Sequence, residues 1–126
     1  MINGNKIAIP GDVDYEIKYL VEMMNEVDGI QTTESCFGHN KEPIRIFGVA
    51  ENIEALNKFR YNFLYCNKLW SIKLILTDVT IANGDWDKIE FYLESDPEYI
   101  DFPVTQLLAE NLARTIDMNL EKDKEN

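Results

Sequence analysis

The chain has 126 residues, of which 45% are hydrophobic and 28% charged, and its formal net charge is −11 at neutral pH. This length and composition are typical of one globular domain and exclude extensive disorder. The excess of carboxylates repels phosphate backbones, and no apolar run reaches the roughly 18 residues of a membrane span. We therefore expect no membrane binding and no direct nucleic-acid binding. The first residues lack the features of a signal peptide, which predicts a cytoplasmic location.

The hydrophobic pattern predicts three helices, with a pair of strands between each helix and the next and a further short strand at the start. Gly29 suits the left-handed position after a first helix, and Asn52 is a candidate N-cap for a second. The predicted elements, in chain order, are a strand over 6–10, a helix over 12–28, strands over 30–35 and 44–49, a helix over 51–66, strands over 70–81 and 86–94 joined by an Asn83-Gly84-Asp85 turn, and a helix from Pro103 to about Met118.

This order of elements predicts an α+β fold. A mainly antiparallel sheet of four to five strands, with three helices packed on one face, accommodates it. A ferredoxin-like arrangement with additions is the leading interpretation. Residues 1–120 are expected to form a single domain, and the polar residues 121–126 to fray as an acidic tail.

A candidate site lies in the loop between the strands over 30–35 and 44–49. Cys36 and the only histidine, His39, stand three residues apart there. Such a pair can activate a thiolate nucleophile, or it can ligate zinc if Cys66 or Glu34 supplies a further ligand. The alternative is structural, with Cys36 packed as a small buried side chain and His39 at the rim of the loop. We assign no metal site and no cofactor from the sequence.

The same loop is also a candidate anion site. Gly38 can adopt the positive φ that a tight reversal requires, and the hydroxyl of Ser35 could join backbone N–H groups in binding an anion. Arg45 could add charge-assisted hydrogen bonds to a carboxylate or phosphate, or it could instead form an ion pair with Glu34 or Glu42. The candidate ligand-binding residues are Glu34, Ser35, Gly38 and Arg45, and the candidate catalytic residues are Cys36 and His39.

Two other groups of residues have a structural and a functional interpretation. The aromatic residues Tyr61, Tyr65, Trp70 and Trp86 could line a pocket, but their spacing is more typical of core and edge packing. The carboxylates that alternate through Glu90 and Glu94 indicate a strand with one buried face and one wet, acidic face. An acidic face of this kind either keeps a protein soluble or docks on a basic partner.

The segment Thr32–His39, which reads Thr-Thr-Glu-Ser-Cys-Phe-Gly-His, resembles two groups of proteins. One is a scattered group of small, uncharacterised phage and bacterial proteins that carry Ser-Cys-x-Gly-His between two strands. The segment is more distantly similar to the tRNA wybutosine-synthesis methyltransferase family, with its Thr-Thr-Ser-Ser-Cys-Ser-Gly-Arg segment. Its matches to that family are Thr32, Thr33, Ser35, Cys36 and Gly38, and its departures are Glu34, Phe37 and His39. The resemblance implies an α/β fold with this loop as a site.

Three functions follow as hypotheses. The first is a small cytoplasmic binding or interaction protein, phage-related by the resemblance, whose Ser35–Arg45 loop holds a small anion or a partner segment. The second is an enzyme that uses Cys36 and His39, or a methyltransferase-like relative with a small substrate other than tRNA. The third is an acidic protein that occupies the groove of a basic protein partner. A homodimer could form by edge-strand pairing.

Overall fold

The chain forms a helix, two strands, a helix, two strands and a helix, in the order that the hydrophobic pattern predicts. The computed structural model describes residues 13–65, 67–75 and 88–125, and their side chains as far as residue 122. The elements in chain order are a 3₁₀ turn (Tyr15–Ile17), α1 (Lys18–Glu26), β1 (Ile30–Cys36), β2 (Arg45–Ala50), α2 (Ile53–Phe59), a π-helical turn (Arg60–Leu64), β3 (Trp70–Ile75), β4 (Ile89–Ser95) and α3 (Val104–Glu125). The strand predicted over 6–10 and the turn predicted at Asn83-Gly84-Asp85 lie outside the described residues.

The strands form one four-stranded sheet in the order β1-β2-β4-β3. Every neighbouring pair is antiparallel. The predicted α+β fold, with a mainly antiparallel sheet and three helices, is therefore confirmed. The ferredoxin-like arrangement with additions stays a prediction.

The two faces of the sheet differ in what they bury. In β2 the side chains of Ile46 and Ala50 are fully buried, while Arg45 and Phe47, which alternate with them, are half-buried. The same alternation in β4 buries Phe91 completely. The buried strand residues join residues of all three helices in one hydrophobic core. The helices therefore cover a single face of the sheet, as expected from the period of two in strands.

The first two helices begin and end close to the predicted signals. The first opens at Tyr15 as a 3₁₀ turn, whose first bond runs from the N–H of Ile17 to the carbonyl of Asp14 over 3.1 Å. Gly29 follows α1 with φ of +82°, the left-handed value expected after a helix. Asn52 caps α2 as predicted, since its side chain accepts the N–H of Ala55 at 2.9 Å. The end of α1 and the start of α2 are therefore both close to the first residue of β1.

The last helix differs from its prediction in both length and buried face. It extends over 22 residues to Glu125, so the segment expected to fray from residue 121 is helical as far as 125. The apolar periodicity of this segment predicts Val104 and Leu107 on the buried face of the helix, but both are exposed. The buried face is instead formed by Thr105, Ala109, Leu112, Ala113 and Ile116. Alanine adds little to an apolar pattern, yet its small side chain lets two helices approach closely, and α3 packs against α1.

Asn25 links α1 to the edge strand β1. Its side-chain NH₂ donates to the hydroxyl of Thr32 at 2.8 Å and to the carbonyl of Val21 at 3.0 Å. Its side-chain oxygen accepts the backbone N–H of Thr32 at 2.9 Å. Thr32 is only 3% exposed, so these bonds satisfy polar groups that have little access to water.

We predict that Asn25→Ala lowers the free energy of unfolding by about 2–3 kcal/mol, because it leaves the N–H and the hydroxyl of Thr32 without partners. Urea denaturation at neutral pH measures this change. Asn57→Ala on the exposed surface of α2 is the control and should change stability by less than about 0.5 kcal/mol. Equal effects of the two substitutions would contradict the proposed link.

Candidate functional site

The loop between β1 and β2 is a tight reversal built around Gly38. The carbonyl of Gly38 accepts the N–H of Lys41 at 3.0 Å, and the two residues between them, His39 and Asn40, have φ of 49° and 68°. Positive φ at both central positions is the geometry of a type I′ turn. Gly38 itself has φ of +87°, and a Cβ placed on it would overlap the carbonyl oxygen of Glu42. Only glycine fits this position.

Contacts from two distant parts of the chain hold the loop. The N–H of Phe37 donates to Oδ2 of Asp14 at 3.0 Å, and Nε2 of His39 lies 3.3 Å from the same oxygen. On the other side, Oδ1 of Asn40 accepts the N–H of Phe102 at 2.6 Å. Phe37 is buried and meets the ring of Phe102 edge-on, with centroids 6.4 Å apart. The loop is therefore a packed, anchored segment.

The predicted site residues of this loop are divided between different surfaces. Cys36 is opposite Arg45 in the register of β1 and β2, so both side chains lie on the same face of the sheet. Ser35 is opposite the fully buried Ile46 and lies on the helix-covered face. The histidine side chain is directed to Asp14, and no hydrogen bond joins it to Cys36. Cys36 is exposed, which corrects the interpretation of this thiol as a buried packing residue.

The second face of the sheet, which no described helix covers, brings more polar side chains together than the loop does. Residues that are directly opposite on neighbouring strands lie on the same face of the sheet. The register therefore assigns the residues of this second face to three rows that run across the four strands. We call this surface the open face; its rows are Cys36, Arg45, Glu94 and Ser71, then Glu34, Phe47, Tyr92 and Lys73, then Gln31, Val49, Glu90 and Ile75.

An aromatic pair occupies the centre of the open face. The rings of Phe47 and Tyr92 are 5.1 Å apart between centroids and tilted by 31°. Both side chains are half-buried, although no described helix packs over them. The ammonium group of Lys73 lies 5.8 Å from the centroid of the Tyr92 ring, within the range of a cation–π contact. The centre of this face is thus apolar and aromatic, with a cation at one side.

Glu94 holds two cations at one end of the open face. Its Oε2 accepts Nε of Arg45 at 2.7 Å, and its Oε1 accepts Nζ of Lys73 at 2.6 Å. Arg45 also reaches Glu42 at 3.4 Å, so one of its two predicted ion-pair partners is confirmed, while no contact with Glu34 is present. The sequence pattern placed Glu94 on a wet face, but the residue is only 4% exposed, because the two long basic side chains lie over it.

The charges of this cluster fix its protonation at neutral pH. Burial alone would raise the pKa of Glu94, but the hydrogen bonds from Lys73 and Arg45 outweigh burial and lower the pKa of that carboxyl below its usual value. The hydrogen bonds to Glu94 raise the pKa of Arg45 and of Lys73. One carboxylate therefore stays ionised between two cations.

No group of three or more His, Cys, Asp or Glu side chains that could hold a metal ion occurs in the part of the chain that the structure describes. Cys66, considered above as a zinc ligand, lies outside that part. Over the same residues, none of the helices combines the length and the apolarity that crossing a bilayer requires.

Comparison of the chain with protein-family models, with curated proteins and with solved structures found no match.

The loop generates one prediction about Asp14. Asp14→Ala removes the acceptor of the Phe37 N–H, and we expect it to lower the free energy of unfolding by about 1–2 kcal/mol and to speed hydrogen exchange at Phe37. Asp14→Asn keeps an acceptor oxygen and should retain most of that stability. His39→Ala should change stability by less than about 0.5 kcal/mol, because the imidazole is exposed. A His39→Ala effect as large as that of Asp14→Ala would show that the imidazole contact dominates.

The Glu94 cluster generates a prediction about pH. Because the pKa of Glu94 is lower in the folded protein than in the unfolded chain, the folded state binds fewer protons. The stabilisation that ionised Glu94 gives to the fold is complete above about pH 4.3, the pKa of a glutamate in an unfolded chain. It is lost as the pH falls through the lower pKa that this carboxyl has in the folded protein. We expect Glu94→Gln to cost about 1–3 kcal/mol at neutral pH, and this difference from the natural protein to shrink below about pH 4.

Urea denaturation over a series of pH values measures that difference. The control is Glu98→Gln, since Glu98 is exposed and its carboxylate has no ion-pair partner among the described residues. This substitution should change stability little at any pH. A Glu94→Gln effect that is independent of pH would contradict the assignment of the charge to Glu94.

Proposed function

We propose that this protein is an interaction module that binds a basic segment of a partner protein on its open face. The observation that supports the proposal is the combination on one sheet face of the Phe47–Tyr92 pair with carboxylates at its border. Glu34 flanks the aromatic pair on the β1 side, and Glu90 lies in the next row. Neither carboxylate forms an ion pair with any described residue, and both are exposed.

This arrangement suits arginine and lysine side chains better than an anion. A guanidinium group can lie on an aromatic ring and donate to a carboxylate at the same time. The two cations of the open face, Arg45 and Lys73, are already engaged by Glu94. An incoming basic segment would therefore meet the carboxylates of Glu34 and Glu90, and it would approach a chain whose net charge of −11 attracts it at long range.

The loop between β1 and β2 has few free hydrogen-bond donors for an anion. The guanidinium of Arg45 donates to two carboxylates, the N–H of Phe37 is taken by Asp14, and Ser35 lies on the helix-covered face. The groups that the sequence suggested for anion binding are thus engaged within the protein or directed apart. We therefore favour the basic-partner hypothesis over the anion site.

The size of the open face favours a segment over a large domain as its occupant. Four strands at their usual spacing and about five residues along each strand give a surface of roughly 14 Å by 17 Å. That is smaller than the surface a stable protein–protein interface normally covers on each partner. An extended segment with alternating basic and apolar residues fits these dimensions.

The test uses a fluorescent peptide in which arginine alternates with leucine, and a matched peptide with glutamate in place of arginine. We expect only the basic peptide to bind, to perturb the Tyr92 side-chain resonances, and to lose affinity as ionic strength rises from about 0.05 M to about 0.5 M. Glu34→Lys/Glu90→Lys should weaken binding about tenfold.

The matched control is Glu22→Lys/Glu26→Lys, which makes the same change of net charge on the exposed surface of α1. This control should change affinity less than about twofold. Equal weakening by the two double variants would show that net charge alone attracts the peptide. Binding that leaves Tyr92 unperturbed would overturn the assignment of the open face.

A further inference from the structure

A groove of about 410 Å³ opens on the surface of the π-helical turn that follows α2. Its lining residues are Asn57, Arg60, Tyr61, Leu64 and Tyr65. Leu64 is almost completely buried, but Tyr61 and Tyr65 are 68% and 71% exposed. The surface that this groove offers to a ligand is therefore aromatic, and its volume lies within the range of small-molecule sites.

The two tyrosines face outward because the residues between and before them face the core. Residues two positions apart in a helix point in nearly opposite directions, whereas residues four positions apart lie on one face. Phe59 and Phe63 accordingly form a buried pair, with ring centroids 5.5 Å apart, and Tyr61 and Tyr65 form an exposed pair at 5.4 Å. The exposed pair is not part of the hydrophobic core, and π-helical turns are frequent at functional sites.

Arg60 gives the groove a positive charge. Its side chain is exposed and forms no ion pair with a described residue, and no carboxylate among the described residues lines the groove. The groove lies within residues 55–77, the longest run of the chain without Asp or Glu, although the chain has 23 of these residues. Carboxylates more distant than about 8 Å are largely screened at physiological ionic strength. The groove is therefore a locally cationic site in an acidic chain.

We infer that this groove binds a small aromatic anion, such as an aryl phosphate. The aryl ring packs on the exposed rings of Tyr61 and Tyr65. The phosphate accepts charge-assisted hydrogen bonds from the guanidinium group of Arg60, whose planar fork matches phosphate oxygens, and the side-chain amide of Asn57 can donate another. A neutral ring gains only the aromatic contact, and inorganic phosphate gains only the polar one. None of these residues belongs to the open face, so either proposal can fail alone.

The test compares three probes on the isotope-labelled full chain: phenyl phosphate, inorganic phosphate and benzyl alcohol. We expect phenyl phosphate to bind with a Kd in the millimolar range, as small fragments do, and at least about tenfold more tightly than either of the other probes. Its binding should shift the ring resonances of Tyr61 and Tyr65 and the amide resonances of residues 57–65. Residues of the open face should not shift.

The aromatic contact is tested with Tyr61→Leu/Tyr65→Leu, which should fold because both side chains are exposed. This variant should weaken phenyl phosphate to the affinity of inorganic phosphate. The matched control is Tyr15→Leu/Tyr99→Leu, which removes two exposed tyrosines elsewhere and should leave the affinity unchanged.

The ionic contact is tested with Arg60→Gln, which should weaken phenyl phosphate to the affinity of benzyl alcohol. Arg114→Gln makes the same change of net charge on the exposed surface of α3 and should leave the affinity unchanged. The inference is overturned if phenyl phosphate does not bind, if either other probe binds as tightly, or if the shifts map elsewhere. It is also overturned if a variant and its control weaken binding alike.

Discussion

One residue of register separates the two faces of the sheet, and the membership of the open face depends on it. Side chains alternate between faces along a strand, so a slip of β2 by one position against β1 and β4 would exchange the faces that its residues occupy. Arg45 would then lie under the helices, and Ile46 would lie on the open face. The core prevents this slip, because Ile46, Phe91 and Leu93 are completely buried on one side. The site residues are therefore placed by hydrophobic burial of their neighbours.

The Glu94 cluster adds a second constraint on the same register. Glu94 is directly opposite Arg45 and diagonal to Lys73, so its two ion pairs join three adjacent strands. A buried ion pair often contributes little net stability, since desolvation of the charges opposes their attraction. Breaking it leaves a buried charge unpaired, which is costly. This cluster therefore penalises wrong strand pairing more than it stabilises the correct one.

The parts of the fold that could be predicted from the sequence are those set by local pattern. The stripe through Ile17, Leu20 and Met24, the left-handed Gly29 and the Asn52 cap each depend on residues close in sequence, and each is found in the structure. The alternation in β2 correctly separated Arg45 from Ile46. Gly38 was identified as the residue that shapes the loop, because a reversal this tight requires positive φ.

What could not be predicted depends on contacts between residues far apart in the chain. Asp14 anchors a loop that lies 23 residues away, and Lys73 and Arg45 cover a carboxylate that the local pattern placed in water. The strand order makes Lys73, Arg45 and Glu94 neighbours, and Asp14 reaches the loop from the start of the first helix. Proximity in sequence was misleading in the same way for Cys36 and His39. Three positions apart, Cys36 ends β1 and His39 lies within the turn, where its imidazole is directed to Asp14.

A basic segment bound on the open face would act on the stability of the fold as well as on its charge. It would relieve repulsion in a chain with a net charge of −11, and it would stabilise the folded state because the unfolded chain presents no sheet face. At physiological ionic strength the screening length is about 8 Å, so the carboxylates close to the open face contribute most of that attraction. Glu34 and Glu90 lie in its rows, and the register that places them there is held by the core on one face and by Glu94 on the other.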